Sequence, residues 1–211
     1  MKILRNALLV LLLAVASYLT VAAAWAWIAF PSAAQGLPQA AAMPLSPRQV
    51  EILLKVEDPD FFHHAGLSVL HGQGLATITS SLARSVYLGD TQLDGAAGAF
   101  QRFYRSVFDC CRKIDIGRDV MALVLDRKLD KHRQLAAYSA MVYLGTQEGK
   151  QVHGFEDAAL SYYAKPLGLL TEEEFVGLVA MIKAPNLYHP VKNPALFVQR
   201  LVQVNVQIQK K

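Results

Sequence analysis

The sequence predicts an all-α domain carried on one N-terminal transmembrane helix. Three observations predict it: an uncharged apolar run near the start, apolar spacings of three and four residues through the rest, and no sustained strand alternation. Charged residues make up 18% of the 211, and the mean hydropathy is +0.24. That balance excludes a disordered, solvated chain. It is also too apolar for an ordinary soluble enzyme unless the hydrophobicity is concentrated in one place.

The concentration lies between Ala7 and Phe30, a stretch without a charge in which Ser17, Tyr18 and Thr20 are the clearly polar positions. As a helix it spans roughly 36 Å, enough for a ~30 Å hydrocarbon core with some tilt. Lys2 and Arg5 precede it and no positive charge follows until Arg48, so the positive-inside rule keeps the N-terminus cytoplasmic and exports the rest. Trp25, Trp27 and Phe30 suit the outer headgroup zone. The competing reading is a cleaved signal peptide with Ser32-Ala33-Ala34 at the cut. Its apolar region would be ~7–15 residues, shorter than this run, which favours an anchor.

Residues 1–31 are therefore read as cytoplasmic tail and anchor, 32–46 as a linker rich in Ala and Pro, and 47–211 as the exported domain. Ser46 and Pro47 look like an N-cap with proline at the first helical position, opening a helix that ends near Asp58-Pro59. Leu75, Ile78, Leu82 and Val86 mark a second helix, followed by a glycine-containing loop from Gly89 to Gly98. Further helices are expected over 118–129, 132–144 and 155–164. Thr171 with Glu174 resembles a capping box opening a helix to Lys183. After Pro185, Pro190 and Pro194 a last helix runs from Ala195 to Gln209.

Without Lys2 and Arg5 the exported part carries 19 basic against 17 acidic residues. That is too weak an excess to argue for nucleic acid, and export argues against it further. Anionic lipid or pyrophosphate fits the sign. Cys110 and Cys111 are adjacent, so they form either a small buried apolar pair or a strained vicinal disulfide. No zinc-type spacing exists.

Two segments carry chemistry. In EDPDFFHHAG, residues 57–66, three carboxylates, two aromatics and two imidazoles gather at a helix exit. A carboxylate beside Phe61 and Phe62 would lose solvation, which raises its pKa and suits acid–base work. A cap with a solvated turn is the plain alternative. A metal site at Asp60, His63, His64 and His71 is disfavoured, because no helix or hairpin fixes the ligands. In residues 72–82 a glycine loop feeds a hydroxyl-rich helix start, which can hold an anion. Ordinary capping by Thr77 or Thr79 is the plain reading there.

Together these segments resemble a known family. EDPDFFHHAG is similar to the Glu-Asp-x-x-Phe-x-x-His-x-Gly motif of the peptidoglycan glycosyltransferases, the transglycosylase domains of penicillin-binding proteins (glycosyltransferase family 51). GLATITSSLARSVYL resembles their Gly-Gly-Ser-Thr-Ile-Thr-Gln-Gln-Leu-x-Lys-Asn segment. ALVLDRKLDKHRQLAAYSAMVYLG and GFEDAALSYYAKPLGLLTEEEFVGLVAMIKAPNLYHPVKNP resemble the later blocks, in order, from about Val50 to the C-terminus.

The resemblance implies a lysozyme-like helical domain on the periplasmic face of the bacterial inner membrane. It would polymerise lipid II with inversion and release undecaprenyl pyrophosphate. Glu57 takes the position of the general base, and inversion with one carboxylate as base agrees with glycosyl-transfer logic. Position by position, Asp58, Phe61, His64 and Gly66 would shape the acceptor site. Thr77, Thr79, Ser80, Ser81 and Arg84 would face donor sugars or phosphates, with Arg112, Lys113 and Arg118 also on the substrate. Basic groups, or a divalent cation such as Mg2+, would stabilise the departing pyrophosphate. The implied partners are lipid II, the growing glycan strand, membrane lipid and other cell-wall synthases.

The departures are specific. Gly66 and Gly74 stand closer than the family's separation, so a helix or flap is missing, and Ser80 and Ser81 replace two glutamines. The second glutamate of Arg-Lys-x-x-Glu falls on Ile116 or Arg118, depending on the anchor used, with Asp115 and Asp119 as near misses. The sequence after Pro194 is too short for a transpeptidase domain, so the expectation is a divergent monofunctional member. Two rival readings are a non-catalytic relative that binds lipid-linked glycan or scaffolds wall synthases, and a lysozyme-like lytic enzyme using Glu57 as acid.

Overall fold

The computed structural model of the chain describes residues 2–38, 43–68, 76–108 and 115–209. Helix α1, Lys2–Ala33, continues into a single 3-10 turn at Ala34–Gly36. It is long and apolar enough to cross a membrane, and its first half is almost wholly exposed. The linker expected from residue 32 begins slightly later, because Pro31, Ser32 and Ala33 stay in the last helical turn.

The C-terminal half of α1 is a packed element of the domain. Ala22, Trp25, Ala26, Ala29 and Ala33 recur at three- and four-residue intervals and are all buried. Small side chains let backbones approach closely, and here they seat α1 against α5, Ile116–Lys128, and α3, Ile78–Leu88. Trp25 donates its indole N–H to the Ala97 carbonyl at 3.0 Å. Tyr18 and Tyr104 share a hydroxyl–hydroxyl bond of 3.2 Å, and Lys128 lies 3.4 Å over the Trp27 ring. Gly117 stands where a Cβ would strike the hydroxyls of Tyr18 and Tyr104, so this seam requires a glycine.

Helix α4, Gly95–Phe108, begins inside the stretch read as a loop from Gly89 to Gly98. Gly95 and Gly98 weaken the local helix signal. The stripe Phe100, Tyr104 and Phe108 overrides it by stacking on Trp25, on itself and on Tyr18. A side chain at Gly98 would run into the Leu93 carbonyl.

The remaining helices build a second core. Helix α2, Pro47–Glu57, starts at Ser46 with a complete capping box to Gln49, as its sequence predicts. Helix α6, Lys131–Met141, stops earlier than expected because Tyr143–Gln147 forms β1, paired antiparallel with β2, Lys150–His153. Then come α7, Phe155–Tyr163, and α8, Glu172–Met181, which carries the Thr171–Glu174 capping box. The last helix is α9, Pro194–Gln209. Ile52, Leu53, Phe61, Leu135, Phe155, Phe175 and Val204 form this core, while Trp25, Leu82, Tyr87, Tyr104, Met121 and Leu125 form the one against α1. Helices α3 and α6 contribute to both.

Candidate active site

Helix α2 ends on Glu57 because Asp58 precedes Pro59, which disfavours helical backbone in the residue before it. The turn that follows is held by Asp58, whose side chain is fully buried. Its carboxylate accepts the Ile78 N–H at 2.9 Å and faces His64 Nε2 at 3.0 Å. Nδ1 of His64 accepts the Gly66 N–H at 2.9 Å, which assigns the proton to Nε2 and makes His64 a donor to Asp58. Gly66 has φ of +99°, and a Cβ there would press on the Ala122 carbonyl. Its own carbonyl accepts the Thr77 hydroxyl at 2.6 Å, and Thr77 caps α3 by accepting the Ser80 N–H at 2.9 Å. Thr79 donates to Gln134 at 2.7 Å, and Phe61 is buried beside Phe62 under Lys131.

These bonds tie the end of α2 to the start of α3 and place Glu57 on the wall of a cavity of about 530 Å3. That volume is in the range of ligand clefts. Among the described residues the wall also carries Thr77, Ser80, Ser81, Arg84, Arg118, Tyr138, Lys183, Arg200 and Gln207. Of the residues singled out from sequence, Glu57, Thr77, Ser80, Ser81, Arg84 and Arg118 therefore meet at one cavity. Asp58, Phe61, His64, Gly66 and Thr79 are not on its wall, and their contacts close on the protein itself. Arg112, Lys113, Cys110, Cys111 and His71 lie outside the described residues, as does the loop 72–75.

Loss of solvation by burial pushes the Glu57 carboxyl up to about 7, against the opposing pull of Arg200 and Lys183. Glu57 is the one carboxylate on the described wall, against four cations. No group of three His, Cys, Asp or Glu side chains suited to a metal occurs among the described residues. Arg118 turns a guanidinium nitrogen to Asp119 at 3.4 Å. Among the described residues, one carboxylate against four cations is not a donor set suited to a divalent cation. Arg84 and Arg118 also line a small cavity of about 60 Å3 with Tyr104, Arg105 and Asp115, close to Tyr18 of the anchor.

Lys183, Arg200, Tyr138 and Gln207 were not singled out from the sequence. Arg200 had a legible signal: it lies on the inward stripe of α9 with Val204 and Ile208, where a lone cation is out of place.

The fold and the site define a helical domain behind one long apolar helix, with a carboxyl near neutrality in a cationic cleft. Comparison makes it specific. The profile of the transglycosylase family matches residues 35–209. The chain is 33% identical over 165 residues to penicillin-binding protein 1B of Buchnera aphidicola from Acyrthosiphon pisum, covering 72% of the chain and 19% of that relative. It is 31% identical over 155 residues to penicillin-binding protein 1B of Haemophilus influenzae, covering 72% and 19%. It is 31% identical over 154 residues to penicillin-binding protein 1B of Escherichia coli K12, covering 72% and 17%. The chain thus spans about a fifth of the length of these relatives. It belongs to the transglycosylase family, and its domain is of the lysozyme-like helical kind.

Proposed function

We propose that the chain polymerises lipid II into glycan strands, with Glu57 as general base. The observation that carries the reading is a carboxyl raised to about 7 on the wall of a cleft whose other charges, among the described residues, are all positive. The 4-hydroxyl of the acceptor sugar gives its proton to Glu57 while its oxygen bonds to the anomeric carbon of the donor. The bond from that carbon to the pyrophosphate breaks on the opposite face, and its electron pair leaves with undecaprenyl pyrophosphate. Arg84 and Arg118 neutralise the charge that develops there. Thr77, Ser80 and Ser81 offer hydroxyls to the sugars. No step is assigned to a metal ion.

The setting proposed is the inner membrane, with Lys2 and Arg5 cytoplasmic and the domain in the periplasm, where other cell-wall synthases are the expected protein partners. The test is polymerisation of labelled lipid II by the full chain in liposomes, with initial rates across pH 5.5–9. A base must be unprotonated, so the rate is expected to level off about one unit above pH 7 and to fall tenfold per unit below about 6. Lipid II binding without polymer at any pH would favour a binding or scaffolding role. Soluble muropeptides released from sacculi would favour lysis.

A further inference from the structure

The free part of α1 is too short to cross a bilayer alone. Residues Ile3 to Ser17 are exposed, and beyond them Ala22, Trp25 and Ala26 are buried against the domain. At 1.5 Å per residue the free part spans about 21 Å, against a hydrocarbon core of about 30 Å. Counted from Arg5, the last charge before the uncharged run, about 30 Å is reached only near Trp25. Tilt moves that point further along the helix. A membrane-spanning α1 therefore carries part of its packed half, and whatever is packed there, into the bilayer.

Two helices are packed there. Helix α4 runs antiparallel to α1. Its start meets Trp25 through the Ala97 carbonyl and the Phe100 ring, 5.0 Å away, and its end meets Tyr18 through the Phe108 ring at 5.6 Å. Helix α5 runs parallel to α1, with Gly117 at the Tyr18 hydroxyl and Lys128 over Trp27. Tyr18 lies about 10 Å from Trp25 along the helix axis, on the side of the free part. The end of α4 and the start of α5 thus stand at the depth of Tyr18, inside the apolar run.

Their surfaces suit that depth. Phe103 is 62% exposed and Ile116 is 51% exposed, while Ala96 and Ala99 continue the exposed apolar side of α4 toward its start. The charges on α4 are Arg102 and Arg105, both positive, and Arg102 is exposed. The carboxylates at this level are satisfied within the protein. Asp115 accepts the Tyr104 hydroxyl and the Arg118 N–H, and Asp119 pairs with the Arg118 guanidinium. Interfacial helices have this pattern, with apolar side chains among acyl tails and long cationic ones reaching back to phosphates. We infer that the end of α4 and the start of α5 are immersed in the leaflet on the domain's side. Phe103 and Ile116 lie among acyl chains, and Arg102 reaches the phosphate level. The inference goes beyond the transferase reading and rests on α1 crossing a membrane.

The test reads depth with one added tryptophan in the full chain, reconstituted in phosphatidylcholine–phosphatidylglycerol liposomes. Emission of the wild type, from Trp25 and Trp27, is subtracted. The variants are Ala96→Trp, Phe103→Trp and Ile116→Trp, with Leu169→Trp, on the exposed 3-10 turn between α7 and α8, as the aqueous reference. Quenchers are iodide in the water and lipids brominated at successive acyl positions. Iodide quenching should fall roughly tenfold from Leu169→Trp to Phe103→Trp and Ile116→Trp. Ile116→Trp should respond to a bromine deeper in the chain than Ala96→Trp does.

Iodide quenching at Phe103 and Ile116 equal to that at Leu169 overturns the inference, and the bilayer then thins to the length of the free span. The two positions lie on different helices, so either decides the matter if the other variant fails to fold. Leu12→Trp, in the free part of α1, should be quenched by the deepest bromine. Failure there overturns the inference together with the membrane setting. Polymerisation is not read, so a chain that binds lipid II without turnover defeats the transferase reading and leaves these outcomes as they are.

Discussion

Replacing Glu57 with glutamine is expected to lower polymerisation of lipid II by roughly a thousandfold, the scale of a lost general base, and to make the protein more stable at pH 8. Both effects come from the same desolvation. Folding raises this carboxyl from its ordinary 4.5 to about 7, so the folded state binds the proton more tightly than the unfolded one. The stabilising contribution of that proton is complete below about pH 4.5 and is lost as pH rises through about 7. At pH 8 the ionised group burdens the fold by about 3 kcal/mol, which a neutral glutamine removes. Urea unfolding at pH 4 and pH 8 should show the variant gaining stability only at the higher pH. Undiminished polymer from Glu57→Gln would sink the catalytic assignment, and equal stability at both pH values would sink the electrostatic one.

Asp58→Ala should produce the largest loss of stability of any substitution near the site, about 3–5 kcal/mol. The carboxylate is fully buried and bonded to His64 and to the Ile78 N–H, so its removal strands two donors and detaches the start of α3 from the end of α2. Polymerisation should fall as well, although Asp58 is not on the cavity wall, because the turn that aims Glu57 is no longer tied down. Asp58→Asn keeps one acceptor oxygen and should cost less. Unfolding curves together with rates on the folded fraction would check this. A stable Asp58→Ala enzyme with low activity would instead place Asp58 on the substrate.

The two substitutions also mark what was legible in the sequence. Local chemistry announced α2 and α8, because Ser46, Pro47 and Gln49, or Thr171 and Glu174, carry the cap within a few residues. It did not announce α4, whose glycines argue against a helix until Trp25, some seventy residues earlier in the chain, supplies the packing partner. The hairpin was hidden for a different reason. Its turn puts Glu148 and Gly149 at φ of +51° and +79°, a tight connection that needs only one favourable glycine beside a residue forced into the same region. At the site, Glu57, Ser80 and Arg84 were readable from motif, since they lie on neighbouring elements α2 and α3. Lys183 and Arg200 come from elements more than a hundred residues later, and only the closing of α8 and α9 on α2 brings them to the base.

The way α1 is shared between lipid and protein has a mechanical meaning. Trp25, Ala26, Ala29 and Ala33 are interior residues of the domain, while the stretch from Ile3 to Val15 is not, so the edge of the folding unit cuts through the middle of one helix. In the proposed membrane setting this makes the anchor a ruler rather than a leash. Each residue of its free portion adds about 1.5 Å to the height at which the cleft rides and turns it by about 100° around the helix axis. The altitude and compass bearing of Glu57 over the lipid plane are therefore written into the length of an apolar segment that contributes no residue to the cavity wall.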